Sequence, residues 1–221
     1  MKTDLQLQQD IIAELSWEPS VNAAQIGVEV KDGVVTLAGH VNSYSEKWRA
    51  ERVAQQVAGV KALAIEIEVR LPGGSLRNDA DIARAAENVL EWMTYAPRDS
   101  VKVMVEGGWI TLSGEVDWEY QRWAAVKGVS NLMGVIGVSD HMAIKPQASQ
   151  RVVKSGIEAA LKRRAQNDVQ NITVEASGEQ VTLAGTVHSW SERDLVERSA
   201  WSAPGVRRVI NNMTIASWEA A

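Results

Sequence analysis

The chain has 221 residues, of which 45% are hydrophobic and 23% charged, and its net charge is −5. The hydrophobic content is too high for a disordered chain, and the acidic balance disfavours a nucleic-acid-binding protein. Because there is no cysteine, disulfides, thiolate metal sites and cysteine nucleophiles are excluded. The N-terminus begins with a polar, helix-like pattern and no apolar run reaches 18 residues, so we predict a cytoplasmic protein without a signal peptide or transmembrane segment.

The most informative feature of the sequence is an internal repeat. A pattern of the type Val-Thr-Leu-Ala-Gly occurs three times, and a Gly-Val pair begins 20 residues after the last glycine of each copy. The three pattern glycines are Gly39, Gly114 and Gly185. A fixed spacing repeated three times predicts three copies of one structural unit. We place the domains at 1–72, 76–146 and 149–217, with linkers containing Pro72 and Pro146.

Each unit is predicted to begin with a helix and a hairpin. Apolar residues recur every three or four positions in the first segment, as in Ile82, Ala86, Val89 and Met93. Thr3, Asn78 or Asp79, and Ser149 are the predicted caps of the three first helices. Strict alternation follows, as in Ile26, Val28 and Val30, and predicts a strand with one buried face. Glycine-containing turns then lead into the Thr-Leu strand, whose last glycine indicates a bend or a close backbone approach.

A second helix and a third strand complete each unit. Ser43 and Ser189, each with Glu three residues later, are typical helix starts, whereas Trp118 in the second unit predicts a cap that is weaker or built differently. A right-handed crossover through this helix can place the last strand parallel to one of the first two. The predicted fold class is therefore α+β, with three tandem helix–strand–strand–helix–strand domains. Each domain is a three-stranded mixed sheet with two helices on one face.

This combination of motifs resembles the BON domain, a family named for bacterial osmotic-shock and nodulation proteins. The resemblance rests on the Thr-Leu strand, the Ser-x-Ser-Glu helix start and the closing Gly-Val strand, and it covers essentially the whole chain. Asp140 and Asn211 match the family's polar residue in the last strand, and Ile65 departs from it. The resemblance implies a non-catalytic bacterial protein linked to osmotic stress that binds phospholipid surfaces.

The residues themselves give no sign of catalysis or of a cofactor. The three histidines occupy three different positions of the repeat, so they form no spaced metal motif. Carboxylate pairs such as Glu66 with Glu68 are expected on the solvent face of a strand, not in a cleft that raises a pKa. We therefore predict neither an enzyme nor a metal or cofactor site.

Two groups of residues are candidate interaction surfaces. The third unit is the most basic of the three, and we predict that Arg151, Lys154, Lys162 and Arg163 on its first helix contact anionic lipid headgroups. The alternative is an ordinary solvated helix face. A second group concentrates in the middle unit and is predicted to form a partner surface or an inter-domain surface: Trp92, Trp109, Trp118 and Trp123.

Two classes of function remain open from the sequence. The first is a peripheral protein of anionic phospholipid surfaces, whose three domains add their affinities. The second is a soluble sensor of a small ligand or of a potassium-like cation, or a scaffold that binds a protein partner or a second copy of itself. The acidic first and second units favour the second class, and the basic helix favours the first.

Overall fold

The computed structural model describes residues 2–93, 100–145, 172–203 and 206–216. Each of the three units contains one three-stranded sheet, and the order of elements is the one that the sequence predicts. The first unit consists of α1 (Asp4–Trp17), β1 (Ile26–Lys31), β2 (Val34–Val41), α2 (Tyr44–Gln56) and β3 (Ala62–Val69).

The second and third units repeat this order. The second unit consists of α3 (Asp79–Trp92), β4 (Val101–Glu106), β5 (Trp109–Val116), α4 (Glu119–Ser130) and β6 (Gly137–Ile144). In the third unit the structure describes β7 (Ile172–Ser177), β8 (Gln180–Val187), α5 (Trp190–Trp201) and β9 (Arg208–Ile215). The predicted first helix of the third unit lies outside the described residues.

All three sheets share one topology. The Thr-Leu strand is central, pairs antiparallel with the strand before it and parallel with the strand after the crossover helix. The prediction of a mixed sheet is therefore confirmed, and the parallel partner is the central strand. The tight hairpin makes the first two strands antiparallel. Parallel strands need a long crossover connection, which the second helix provides between the central strand and the last one.

The core of each described unit lies between the sheet and its helices. In the first unit Val35 and Leu37 on the central strand are fully buried against Ile11 and Leu15 of α1 and against residues of α2. Side chains of the opposite sheet face, such as Thr36, are only partly buried. The α+β layer with helices on one face is thus confirmed, and α1 and α2 together cover the sheet.

Two structural devices recur between the first two units. The first-turn aspartate of the first helix accepts hydrogen bonds from hairpin backbone N–H groups: Asp79 accepts from Gly107 at 2.8 Å and from Gly108 at 2.9 Å, and Asp4 accepts from the equivalent hairpin in the first unit. The last glycine of the Thr-Leu strand, for example Gly39 with φ +135°, leaves no room for a Cβ beside the carbonyl oxygen of Gln25. The predicted close backbone approach is confirmed.

The predicted helix caps also agree with the structure where it describes them. Thr3 and Gln6 form a reciprocal capping box, and Asn78 caps α3 by accepting from the backbone of Asp81. Ser43 and Ser189 cap α2 and α5 in the same way. Trp118 has no side-chain acceptor, and the backbone N–H of Trp118 instead donates to the Gln121 side chain at 3.0 Å, so this cap is built differently, which is one of the two predicted alternatives.

Candidate interaction surfaces

The three units meet close to the first residue of the second helix. Tyr44, Glu119 and Trp190 occupy this equivalent position in α2, α4 and α5. Tyr44 packs against the core of the second unit and is hydrogen-bonded to the backbone of Val138, and burial raises the pKa of its hydroxyl. Trp190 packs against the core of the first unit.

The junction between the second and third units uses the same position with different chemistry. Glu119 at the start of α4 interacts electrostatically with Glu197 of α5, and its pKa is raised first by burial and further by the carboxylates of Asp140 and Glu197. Arg122 pairs with both Glu119 and Asp140, at 3.3 and 2.6 Å. The first residue of the second helix is thus aromatic at the other two junctions and acidic at this one. Arg122 compensates the negative charge.

A second pair of equivalent positions links α5 to α4 and α2 to α5. The guanidinium of Arg198 in α5 lies 5.7 Å from the ring centroid of Trp123 in α4. At the equivalent positions, Arg52 of α2 forms an ion pair and hydrogen bond with Asp194 of α5. The cation thus contacts an aromatic ring at one junction and a carboxylate at the other.

Together these contacts close a ring. The first unit contacts the second through Tyr44, the second contacts the third through Trp123 and Arg198, and the third returns to the first through Trp190. The three units therefore form a closed ring whose contacts involve their second helices.

The polar residue of the last strand supports the second and third units. Asp140 accepts a hydrogen bond from the backbone N–H of Met142 at 2.9 Å, and Asn211 accepts the equivalent bond from Met213 at 3.1 Å. The Asn211 amide also donates to Glu197 at 2.7 Å, which holds that carboxylate at the junction. Ile65 at the same position joins the apolar packing of the first unit, whose core receives the Trp190 ring.

The four tryptophans that the sequence analysis assigns to an interaction surface occupy different environments. Trp92 is 86% exposed, whereas Trp118 is half-buried. Trp109 is 47% exposed, lies on the open face of the second sheet and donates its indole N–H to Ser139 in its own unit at 2.9 Å. Trp123 is 43% exposed and lies between Lys127 and Arg198.

The structure adds one exposed tryptophan that the sequence analysis missed. Trp17, the last residue of α1, is 86% exposed, like Trp92 at the end of α3. The two residues are 75 positions apart, which equals the spacing between Gly39 and Gly114. Aligning the repeats at these glycines was enough to reveal the pair from sequence. The basic residues Arg151, Lys154, Lys162 and Arg163 lie outside the described residues.

A cavity of about 900 Å³ lies between the first and third units. Three of the charged groups that line it also make contacts within the first unit: Lys2 pairs with Asp10 at 2.7 Å, and Lys61 donates to the carbonyl of Asp32 at 3.1 Å. The carboxylate of Asp4 is held by the hairpin backbone. The third unit contributes His188, which lies 3.3 Å from Glu192.

Within residues 2–93, 100–145, 172–203 and 206–216, no three His, Asp or Glu side chains are grouped so that they could hold a metal ion. Among the described helices, each is too short or too polar to cross a bilayer.

Comparison with known proteins agrees with the repeat. The sequence profile of the BON domain matches residues 3–70, 78–146 and 150–217. Osmotically-inducible protein Y of Escherichia coli (strain K12) is 30% identical over 137 residues, which cover 60% of this chain and 68% of that protein.

Two solved structures are distantly similar to the chain. CdsD, a structural protein of the type III secretion system of Chlamydia trachomatis, is 16% identical with a TM-score of 0.26, over 94% of this chain and 91% of that one. The PrgH periplasmic domain is 13% identical with a TM-score of 0.23, over 87% of this chain and 95% of that one.

The profile matches cover most of the sequence in three consecutive segments, and the chain therefore belongs to the BON domain family.

Proposed function

We propose that this chain is a non-catalytic protein of the osmotic stress response that binds phospholipid surfaces from the cytoplasm as a peripheral protein. The stress role is supported by the similarity to Osmotically-inducible protein Y. The lipid role rests on one observation of the structure, which is that Trp17 and Trp92 are each 86% exposed. Large exposed apolar side chains are typical of interaction sites, and tryptophan is the residue most characteristic of the bilayer interface.

The proposed binding has an electrostatic part and an apolar part. Arg151, Lys154 and Lys162 are the proposed electrostatic contacts in the third unit, and each basic residue near an anionic bilayer contributes about 1 kcal/mol. The exposed indoles supply an apolar component that salt does not screen. The protein is therefore expected to bind anionic vesicles in a salt-sensitive manner and to retain weaker, salt-insensitive binding to zwitterionic vesicles.

Vesicle flotation tests this proposal. Purified full-length protein is floated with phosphatidylcholine vesicles and with vesicles that contain phosphatidylglycerol, at low and at physiological ionic strength. The expected result is strong flotation with the anionic vesicles, which a triple charge reversal at Arg151, Lys154 and Lys162 reduces. Protein that stays at the bottom of the gradient with both lipids and both salt concentrations contradicts the lipid role.

The closed ring favours a second candidate function, a soluble scaffold that presents three fixed surfaces to a protein partner. Contacts such as Arg52 with Asp194 and Arg198 with Trp123 tie the units together without a ligand. A scaffold of this kind does not float with vesicles. A cation-sensing version of it gains thermal stability when KCl replaces choline chloride at equal ionic strength.

A further inference from the structure

A basic residue occupies one equivalent position of the second helix in all three units. Each of these residues lies 13 positions after the last glycine of the Val-Thr-Leu-Ala-Gly pattern, and they are Arg52, Lys127 and Arg198. The residues one helical turn earlier are Trp48, Trp123 and Asp194. The positive charge is therefore present in every unit, although only the third unit places a carboxylate one turn before it.

Two of these cations converge on one carboxylate oxygen between the first and third units. Arg52 of α2 forms a hydrogen-bonded ion pair with Asp194 Oδ2 of α5, and the guanidinium of Arg198 lies 3.6 Å from the same oxygen. Among the described residues, Asp194 is the only carboxylate within ion-pair distance of either arginine. The two arginines share one negative charge, so one positive charge of the pair lacks a counter-ion.

The shared carboxylate leaves most donors of both guanidinium groups unused. A guanidinium carries five N–H donors, and in the described part of the chain Asp194 is the only hydrogen-bond or ion-pair acceptor for Arg52 and Arg198. The Arg52 side chain is 27% exposed and that of Asp194 35%, so both charges are partly withdrawn from water and are less screened by salt. Two planar guanidinium groups with free donors are suited to a ligand that has several acceptor oxygens.

A cavity of about 140 Å³ lies beside the two arginines. Both line it, and Gln56 of the first unit and Ser191 of the third add further hydrogen-bonding groups. Because one water takes about 30 Å³ in the liquid, the cavity has room for a tetrahedral oxyanion and a few waters. Pockets for larger organic ligands start at about 300 Å³, so the size of the cavity favours a small ion.

The charges around the cavity favour an anion. Glu51 is a second carboxylate close to the arginines, and it is attracted by Lys47 as well as by Arg52. With this pair included, three cations still face two carboxylates. The chain as a whole carries a net charge of −5, so the positive excess is a local property of this junction.

We propose that the cavity between α2 and α5 binds one small oxyanion of the phosphate or sulfate type, held by Arg52 and Arg198. Because the two arginines belong to different units, the anion is a ligand of the closed ring and stabilises the junction between the first and third units by mass action. The site involves neither the exposed tryptophans nor the basic helix. It therefore stands or falls independently of the proposed lipid function.

Nuclear magnetic resonance of the full chain tests the site in the absence of vesicles. Backbone amide spectra of isotope-labelled protein are recorded at neutral pH while sodium phosphate, sodium sulfate or sodium chloride is titrated in separate experiments. We expect phosphate and sulfate to cause saturable shifts at residues that line the cavity, such as Gln56, Ser191 and Leu195. A hydrogen bond to a charged group contributes about 1.5–3 kcal/mol, so Arg198→Gln is expected to weaken binding about tenfold or more.

Two further variants complete the experiment. Arg52→Gln should weaken binding by a similar factor, whereas Arg198→Gln leaves the ion pair of Arg52 with Asp194 in place and keeps the test valid if the first variant unfolds. Arg49→Gln is the matched control on the same helix, because its guanidinium is half-exposed and lies 4.0 Å from Glu18. Its dissociation constant is expected to equal that of the wild type. Far-UV circular dichroism and thermal unfolding verify that the variants are folded.

Each outcome decides about the site. Saturable shifts around the cavity that persist in Arg49→Gln and weaken in Arg198→Gln support it. Shifts that increase linearly up to high concentration, shifts confined to other parts of the chain, or equal affinities in Arg49→Gln and Arg198→Gln overturn it. Saturable shifts of the same amides with chloride, at a similar dissociation constant, overturn the assignment to an oxyanion.

Discussion

Replacing Trp190 with alanine tests whether the third unit stabilises the first. Trp190 belongs to α5, yet its partly buried ring packs against the core of the first unit. Its indole nitrogen is buried without a hydrogen-bond partner among the described residues, so the substitution removes packing and the contact with the Arg193 guanidinium 5.1 Å from the ring centroid, but no hydrogen bond. Taking about 120 Å² of lost apolar burial at about 25 cal/mol per Å² gives a destabilisation of about 3 kcal/mol.

Two measurements separate a junction effect from a local one. If the chain unfolds as one cooperative unit, about 3 kcal/mol lowers the midpoint of thermal unfolding by about 6–12 °C. Amide hydrogen exchange then reports where the stability is lost, and we expect faster exchange at Val35 and Leu37 in the first unit. Trp17→Ala is the matched control, because the same change at an 86% exposed residue is expected to cost less than about 0.5 kcal/mol.

The reasoning is refuted if Trp190→Ala accelerates exchange in the third unit alone. That result means that the ring of Trp190 packs only within its own unit in solution and that the junction with the first unit does not form. An unchanged unfolding midpoint in both variants leads to the same conclusion.

Three further substitutions test other parts of the account. Gly39→Ala places a Cβ against the carbonyl oxygen of Gln25 at a φ of +135° and is expected to destabilise the first unit by at least about 3 kcal/mol in urea unfolding, whereas a change below about 1 kcal/mol contradicts the close approach. Asp79→Ala removes the acceptor of two hairpin N–H groups and is expected to cost about 2 kcal/mol; an unaltered urea midpoint shows that these bonds contribute nothing. Glu119 has a raised folded-state pKa, so its protonation favours the folded state and stability from this group increases as the pH falls through that pKa. Glu119→Gln should therefore flatten the pH dependence of stability on the acidic side, and a parallel curve for the variant rules out a role for this carboxyl.

Much of the fold could be predicted because its signals are local and occur three times. The positive φ of Gly39, the Ser43 cap and the cap at Trp118 are each decided by a few neighbouring residues. The sequence left the parallel partner open between the first two strands, because it depends on which edge of the hairpin the crossover reaches, and the structure identifies it as the central strand.

The junctions could not be predicted because their chemistry differs at each interface. Tyr44, Glu119 and Trp190 share a position and no common property, so no motif marks them as a set. Which side chain faces a neighbouring unit depends on the relative placement of domains, and that placement leaves no periodic trace in the sequence. The exposed Trp17 was missed for a different reason: it stands apart from the aromatic cluster of the middle unit, and only alignment of the repeats pairs it with Trp92.

The most direct test of the proposed lipid contact uses the absence of cysteine in the chain. Single cysteines at Ser16 and at Glu91, next to the two exposed tryptophans, and at Lys31 on the open face of the first sheet are labelled with an environment-sensitive fluorophore. With saturating vesicles, we predict a blue shift of the probes at positions 16 and 91 and an unchanged spectrum at position 31. A shift at position 31 alone, or unchanged spectra at all three positions in protein that floats with the vesicles, contradicts membrane contact at the ends of the first helices.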